Sequence, residues 1–293
     1  MNIAIITGGT SDERAVALRS SENMRDWVVF AWHSVDLYDF PTRVPDFLLQ
    51  YDTYDLVIPM FHGVYGEDGQ ITAFLRTLGC RYAYSDFEVH ALCIDKNLTN
   101  IFIEKIGVNI PESYFVMRNS PVPSLIEFPL IVKPNKWGNS LGTSKVKNQD
   151  ELIAACEAIT DDDILVQQCI EGREFTVGVY RDTSGYHTLP IIEIRTLSQE
   201  FFDYSEKYET DGSNEVFMEW ENELQKRLSS ESLLICEYIG TSGVVRIDWR
   251  YDGSDLYFLE VNTIPGFTSG SLVPKMWKKA GKMEGEFVEM LGF

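Results

Sequence analysis

The chain has 293 residues, 44% of them hydrophobic and 13% aromatic, enough apolar material for two or three compact units. Its 45 acidic and 25 basic side chains give a net charge of -20, which argues against a nucleic-acid or anionic-membrane partner; any phosphate ligand needs a local basic pocket. The five cysteines (Cys80, Cys93, Cys156, Cys169, Cys236) are scattered without metal-binding spacing and fit reduced thiols in a cytosol. Met1-Asn-Ile-Ala-Ile-Ile6 lacks the length and basic start of a signal peptide. No apolar run approaches the roughly 20 residues of a membrane span, so a cytoplasmic protein is expected.

Asn2 to Thr7 reads as a buried-type strand, Gly8-Gly-Thr-Ser-Asp12 as a turn, and Glu13 to Arg25 as an amphipathic helix. Phe30 to Val35 and Leu56 to Met60 supply further strands, with Arg81 to Tyr84 as another candidate and a helix over Gln70 to Leu78. That describes an open, mostly parallel α/β unit ending near Ser85. A helix over Val89 to Lys105 follows, then strands over 113–117 and Leu130 to Lys133, a Gly/Ser-rich loop over 137–144, a helix over 149–159 and a strand over 164–168. From Glu174 the pattern turns to long antiparallel strands, interrupted by a polar, acidic stretch between Ser198 and Glu223. The chain therefore divides into units 1–85, 86–170 and 171–293, a combination of α/β and α+β construction.

The chemistry concentrates near the C-terminus. Val244-Val-Arg-Ile-Asp-Trp249 and Asp255-Leu-Tyr-Phe-Leu-Glu-Val-Asn262 are strands joined by a turn at Tyr251-Asp-Gly-Ser254. The two-residue period puts Arg246 and Asp248 on one face of their strand, and Glu260 and Asn262 on one face of theirs. Two carboxylates and an amide oxygen are hard ligands suited to a Mg²⁺ that also binds substrate phosphates. The same residues allow a plainer arrangement, an Arg246–Asp248 ion pair with Glu260 facing solvent. Upstream, Pro129-Leu-Ile-Val-Lys133 leads into a loop of small residues whose backbone N–H groups could cradle phosphates beside Lys133, or which could be purely structural. Lys96, after Asp95, could reach the same nucleotide from a helix. The segment Gln167-Gln-Cys-Ile170 could meet an adenine edge, and Glu174 a ribose hydroxyl pair.

Taken together, Gly8-Gly-Thr-Ser-Asp-Glu-Arg14, His62-Gly-Val-Tyr-Gly-Glu-Asp-Gly69, Asp95-Lys96, Ile131-Val-Lys-Pro134, Glu174-Phe-Thr-Val177, Asp203-Tyr-Ser-Glu-Lys-Tyr208, Arg246-Ile-Asp248, Glu260-Val-Asn-Thr-Ile-Pro-Gly266 and Thr268-Ser-Gly-Ser-Leu-Val-Pro274 resemble the D-alanine:D-alanine ligases of the ATP-grasp superfamily. The resemblance covers nearly the whole chain. It implies an ATP-grasp fold behind an N-terminal open parallel-sheet domain, with ATP clamped between the second and third units. It implies that Lys96 and Lys133 contact ATP phosphates, that Ser140, Gln167, Cys169, Ile170, Glu174 and Phe258 belong to the nucleotide site, and that Asp248, Glu260 and Asn262 hold two Mg²⁺ ions, replaceable by Mn²⁺.

The resemblance further implies that one amino acid's carboxylate attacks the γ-phosphate, giving an acyl phosphate that the second amino acid's amine then attacks. Arg246 and the backbone of Gly266 would stabilise the oxyanion; Glu13 and His62 would bind the first amino acid; Ser271 and Leu272 would take the second one's carboxylate. Lys207 would sit on a mobile loop over the phosphates, and Tyr208 suggests an amine as the second nucleophile. His62 could instead pin a turn, and Ser271 could cap a helix over 272–280. Asn139 stands where the family usually has a serine bridging the residues that Glu13 and Tyr208 match. Gln167 and Cys169 stand for a usual glutamate and tryptophan, and Thr210 to Trp220 replaces a proline-containing stretch. These departures keep open a ligase for another small amino acid pair, or a nucleotide-binding relative without catalysis. A homodimer through the first unit is expected from the resemblance; a dinucleotide reductase is set aside because GxGxxG is absent.

Overall fold

The computed structural model describes residues 1–122, 124, 127–138, 142–196, 213–219 and 222–292. The expected site residues Asn139, Ser140, Lys207 and Tyr208 lie outside the described residues.

The first sheet consists of β1 (Asn2–Gly8), β2 (Ser34–Phe40) and β3 (Leu56–Met60), parallel and in the order β2-β1-β3. Its helices include α1 (Arg14–Phe30), α2 (Val44–Leu48) and α3 (Gln70–Thr77). The expected strand over Phe30 to Val35 is displaced: α1 runs to Phe30 and the strand begins at Ser34. The apolar run Trp27-Val-Val-Phe30 mimics a strand, yet Met24, Trp27 and Val28 continue the buried face of the helix at its own period. Arg81 to Tyr84 contributes a single parallel bridge, Tyr82 to Val57. The expected helix over Val89 to Lys105 is two helices, α4 (Phe87–Ile94) and α5 (Lys96–Glu104), broken where Asp95 turns extended and accepts the Leu98 N–H at 3.0 Å as the cap of α5.

The second sheet is antiparallel, in the order β4-β7-β5-β6, from β4 (Ser113–Val116), β5 (Leu130–Pro134), β6 (Ser144–Val146) and β7 (Ile164–Gln168). Helix α6 (Gln149–Ala158) covers one face through a small core of Leu130, Val132, Val146, Leu152 and Val166. The third sheet is antiparallel, ordered β11-β10-β8-β12-β13 with β9 paired to β8. Its strands are β8 (Arg173–Asp182), β9 (Gly185–Thr188), β10 (Ile192–Thr196), β11 (Ser213–Phe217), β12 (Val244–Tyr251) and β13 (Leu256–Asn262). Helix α7 (Glu223–Ile239) precedes β12, and α8 (Leu272–Lys279) and α9 (Glu284–Leu291) follow β13. No helix among the described residues is long and apolar enough to cross a membrane.

The largest core runs from the first sheet to the C-terminal helices. Trp27 of α1 meets Phe267 and Phe287 edge-on, with centroids 4.7 and 5.3 Å apart. This packing brings α1 against the segment that follows β13. A second tie is polar: the fully buried His90 of α4 has Nδ1 2.6 Å from the Thr263 hydroxyl, while its Nε2 has no hydrogen-bond partner. Burial holds this imidazole below the ordinary histidine range, at about 4. Between pH 6.5 and 4 the unfolded chain binds a proton there that the native state does not, so stability present above pH 6.5 is lost on acidification. Urea midpoints at pH 7.5 and 5.0 check this: the drop, worth about 2 kcal/mol, is expected to shrink in His90→Asn.

Candidate active site

Two cavities meet over β12 and β13. One lies between the second and third sheets. Lys133, at the end of β5, and Lys96, the first residue of α5, line it from one side, Asp248 and Glu260 from the other. Lys96 is buried: its Nζ donates to the Trp137 carbonyl at 2.6 Å and lies 3.8 Å from Glu260 Oε2. Gln167, Cys169 and Ile170, at and beyond the end of β7, line the same cavity, as does Glu174 at the start of β8. Gln167 Nε2 donates to the Ser113 hydroxyl at 2.9 Å, which leaves the amide oxygen as its acceptor.

A fully buried residue that sequence reasoning passed over fixes these lysines. Asn135, just past β5, donates from Nδ2 to Asp95 at 2.8 Å, accepts the Asn97 N–H on its side chain at 2.9 Å, and accepts the Lys96 N–H on its carbonyl at 3.1 Å. It thereby clamps the first turn of α5 to the strand that carries Lys133. Asn135→Ala leaves buried polar groups without partners; it is expected to cost about 2 kcal/mol of stability and to raise the KM for ATP, checked by urea unfolding and steady-state kinetics.

On the third sheet the antiparallel register sets Asp248 opposite Glu260 and Arg246 opposite Asn262. The register shifts after Asp248, so that Trp249 pairs with Phe258 and Leu259 is left unpaired. This bulge corrects one expectation. Phe258, anticipated in the nucleotide site, is turned into the core beside Trp249 and is 0% exposed, while Leu259 lines the cavity.

Arg246 holds Asp248 with both arms of its guanidinium, Nε to Oδ1 at 2.9 Å and Nη2 to Oδ2 at 2.8 Å, and the Thr176 hydroxyl donates to Oδ1 at 2.7 Å. The ion pair of the plainer sequence reading is therefore formed, but Glu260 does not merely face solvent, being close to Lys96. Among the described residues no three carboxylate, histidine or cysteine side chains gather to hold a metal unaided. Asp248, Glu260 and Asn262 supply hard oxygens along one face, a set that fits Mg²⁺ completing its shell from phosphates and water.

The second cavity is lined by Glu13, His62, Arg246, Gly266, Ser271 and Leu272. Glu13 is 5% exposed, and a side chain at Gly63 (φ 70°) would meet its Oε2 at 3.0 Å. The Phe267 N–H donates to the Ser20 hydroxyl at 3.1 Å, and that hydroxyl bonds His62 Nε2 at 3.1 Å. His62 Nδ1 faces Glu67 at 3.8 Å. His62 therefore joins its own turn, through Glu67, to α1 at Ser20, and Ser20 carries the contact on to the segment after Gly266. Ser271 occupies the position before α8 but does not cap it; its hydroxyl is engaged by Thr268 N–H at 3.0 Å and Thr268 Oγ1 at 2.8 Å. Glu174 and Asp248 line both cavities, so the two adjoin there.

Of the residues that sequence reading missed, Thr176 and Arg250 carried a signal, standing two residues beyond Glu174 and Asp248 on the same strand faces. Ser20 and Asn135 carried none, since their contacts join segments distant in sequence.

Two antiparallel sheets closing on a cleft, lysines from β5 and α5 facing carboxylates from the third sheet, with a parallel-sheet unit ahead of them, make this an ATP-grasp enzyme. Residues 112–291 match the family described as D-ala D-ala ligase C-terminus. Across 99% of its length the chain is 35% identical to the D-alanine–D-alanine ligase of Coprothermobacter proteolyticus, covering 98% of that protein. The chain belongs to the D-alanine–D-alanine ligase family. Among solved structures, the D-alanine–D-alanine ligase of Bacillus anthracis complexed with ATP superposes with a TM-score of 0.86 at 28% identity, covering 99% of this chain and 96% of that one. The VanG D-Ala:D-Ser ligase of Enterococcus faecalis gives 0.81 at 27%, covering 99% and 98%.

Proposed function

We propose that this chain joins two D-alanines, with ATP converted to ADP and phosphate, and that the residues facing the two adjoining cavities carry the reaction. The observation that carries this reading is the junction at Asp248. A triphosphate in the cleft of Lys96 and Lys133 and an amino acid held by Glu13 and His62 would meet over the Arg246–Asp248 pair. The first amino acid's carboxylate oxygen attacks the γ-phosphorus, ADP leaves, and an acyl phosphate forms. The second amino acid, its carboxylate at Ser271 and Leu272, attacks the carbonyl carbon through its amine. The oxyanion so formed faces Arg246 and the Gly266 N–H, and phosphate departs as the peptide bond closes. Asp248, Glu260 and Asn262 would hold Mg²⁺, whose charge would neutralise that of the phosphates. Positioning of the substrates, rather than a protein nucleophile, accounts for the catalysis.

The division at residues 85 and 170 belongs to the same proposal, as does cytoplasmic action on small amino acids. So does a homodimer through the first unit: at the end of α1, Trp32 is 96% and Phe30 61% exposed, an apolar patch suited to self-association. Sedimentation at twice the 33.5 kDa chain mass would support the dimer, and sedimentation at the chain mass would oppose it.

A second reading, a ligase that accepts a different second amino acid, is favoured by Glu215. This carboxylate lines the amino-acid cavity and takes a hydrogen bond from Lys275 Nζ at 2.5 Å, one helical turn beyond Ser271. A polar group on the second substrate would find an acceptor there. Mass analysis of the products from MgATP with D-alanine alone, and with D-alanine plus D-serine, decides. D-alanyl-D-alanine from D-alanine alone supports the first reading; a mixed dipeptide with no D-alanyl-D-alanine supports the second.

A further inference from the structure

We propose that Arg250 is a positioning residue that holds the Glu174 carboxylate toward the sugar hydroxyls of the nucleotide, so that the enzyme selects ribonucleoside over deoxyribonucleoside triphosphates. The inference rests on reading the Lys96–Lys133 cleft as the nucleotide site. Glu174 and Arg250 stand directly opposite each other across β8 and β12, and both side chains line that cleft. Arg250 Nη2 lies 3.0 Å from Glu174 Oε2, and Nη1 donates to the Gly172 carbonyl at 3.3 Å. Gly172 cannot drift: at φ 138° its missing Cβ would sit 2.1 Å from the Tyr251 carbonyl, so the guanidinium is anchored to a tightly packed strand end.

The pair is mostly buried, with side-chain exposures of 17% for Arg250 and 18% for Glu174. A carboxylate here can only accept hydrogen bonds, and it would repel a triphosphate. The vicinal hydroxyls of a ribose are the nucleotide groups whose donors suit it. Glutamate has three side-chain torsions to fix, and an arginine bound to one oxygen removes that freedom before the sugar arrives. The fork geometry matters as well as the charge, which lysine does not reproduce.

The test measures D-alanine-dependent ADP release with ATP, 2′-deoxyATP and 3′-deoxyATP for the wild type, Arg250→Met, Arg250→Lys and Glu174→Gln, each checked for folding by thermal melting. The wild type is expected to favour ATP by about tenfold or more in kcat/KM. In Arg250→Met that preference is expected to fall to within about threefold, through KM for ATP with kcat little changed. Arg250→Lys is expected to lie between, and serves in its place if Arg250→Met does not fold. Two outcomes overturn the proposal: an unchanged preference in the arginine variants while Glu174→Gln loses it, or equal losses with all three nucleotides, which would mark Arg250 as a phosphate contact. If Glu174→Gln also keeps the full preference, the sugar assignment itself falls, and this inference with it.

Discussion

Glu260→Ala is expected to abolish MgATP turnover, lowering kcat by about a thousandfold or more, while leaving stability within about 0.5 kcal/mol of wild type. The expectation follows from where the carboxylate stands. Glu260 is opposite Asp248, on the strand face that the two cavities share, and 3.8 Å from Lys96. Its side chain is 26% exposed, so its removal opens no core cavity, and Lys96 keeps its hydrogen bond to the Trp137 carbonyl. What is lost is a hard oxygen ligand where phosphate charge must be neutralised. Steady-state ADP release together with urea unfolding checks both halves, and turnover retained in this variant would mean that the strand carboxylates are structural.

Arg246→Ala is expected to fail on both counts, with kcat down by about a hundred- to a thousandfold and stability down by about 3 kcal/mol. Asp248 has a side-chain exposure of only 12%, and both its oxygens are bound by the Arg246 guanidinium. Truncation strands a buried charge that the Thr176 hydroxyl alone cannot satisfy. Arg246→Lys is expected to recover part of the stability and little of the rate, because an ammonium cannot make the two-armed contact. Equilibrium unfolding and single-turnover kinetics separate the effects; a normal unfolding midpoint in Arg246→Ala would show that the Arg246–Asp248 pair does not stabilise the fold.

The contrast between these two neighbours shows what was legible in the chain. Period-two alternation in two short strands was enough to put Arg246 with Asp248 and Glu260 with Asn262, because side-chain direction in a strand follows from spacing alone. The resemblance set Phe258, two residues further back, in the nucleotide site, and an unbroken alternation would have put it on that face too. A bulge reverses the parity at Leu259, and nothing in Phe-Leu-Glu announces it. In the first unit the βα opening was readable from its glycines and apolar run, whereas Val28-Val-Phe30 has strand composition and is helical because Trp27 and Val28 pack on Phe267, Phe287 and the first sheet. The break at Asp95 was hidden inside one long helical pattern; Asn135 and Lys136, some forty residues on, supply partners that hold its carboxylate. Contacts of that range belong to the tertiary fold, and they are what turn scattered lysines and carboxylates into one site.

In the proposed reaction a substrate carboxylate attacks the γ-phosphate where the two cavities adjoin. Turnover of MgATP with D-alanine carrying ¹⁸O in its carboxylate tests it most directly, by mass analysis of the phosphate released. Transfer of one ¹⁸O to each phosphate is the predicted result. Phosphate that carries none, with the label retained in the amino acid and its product, would contradict it.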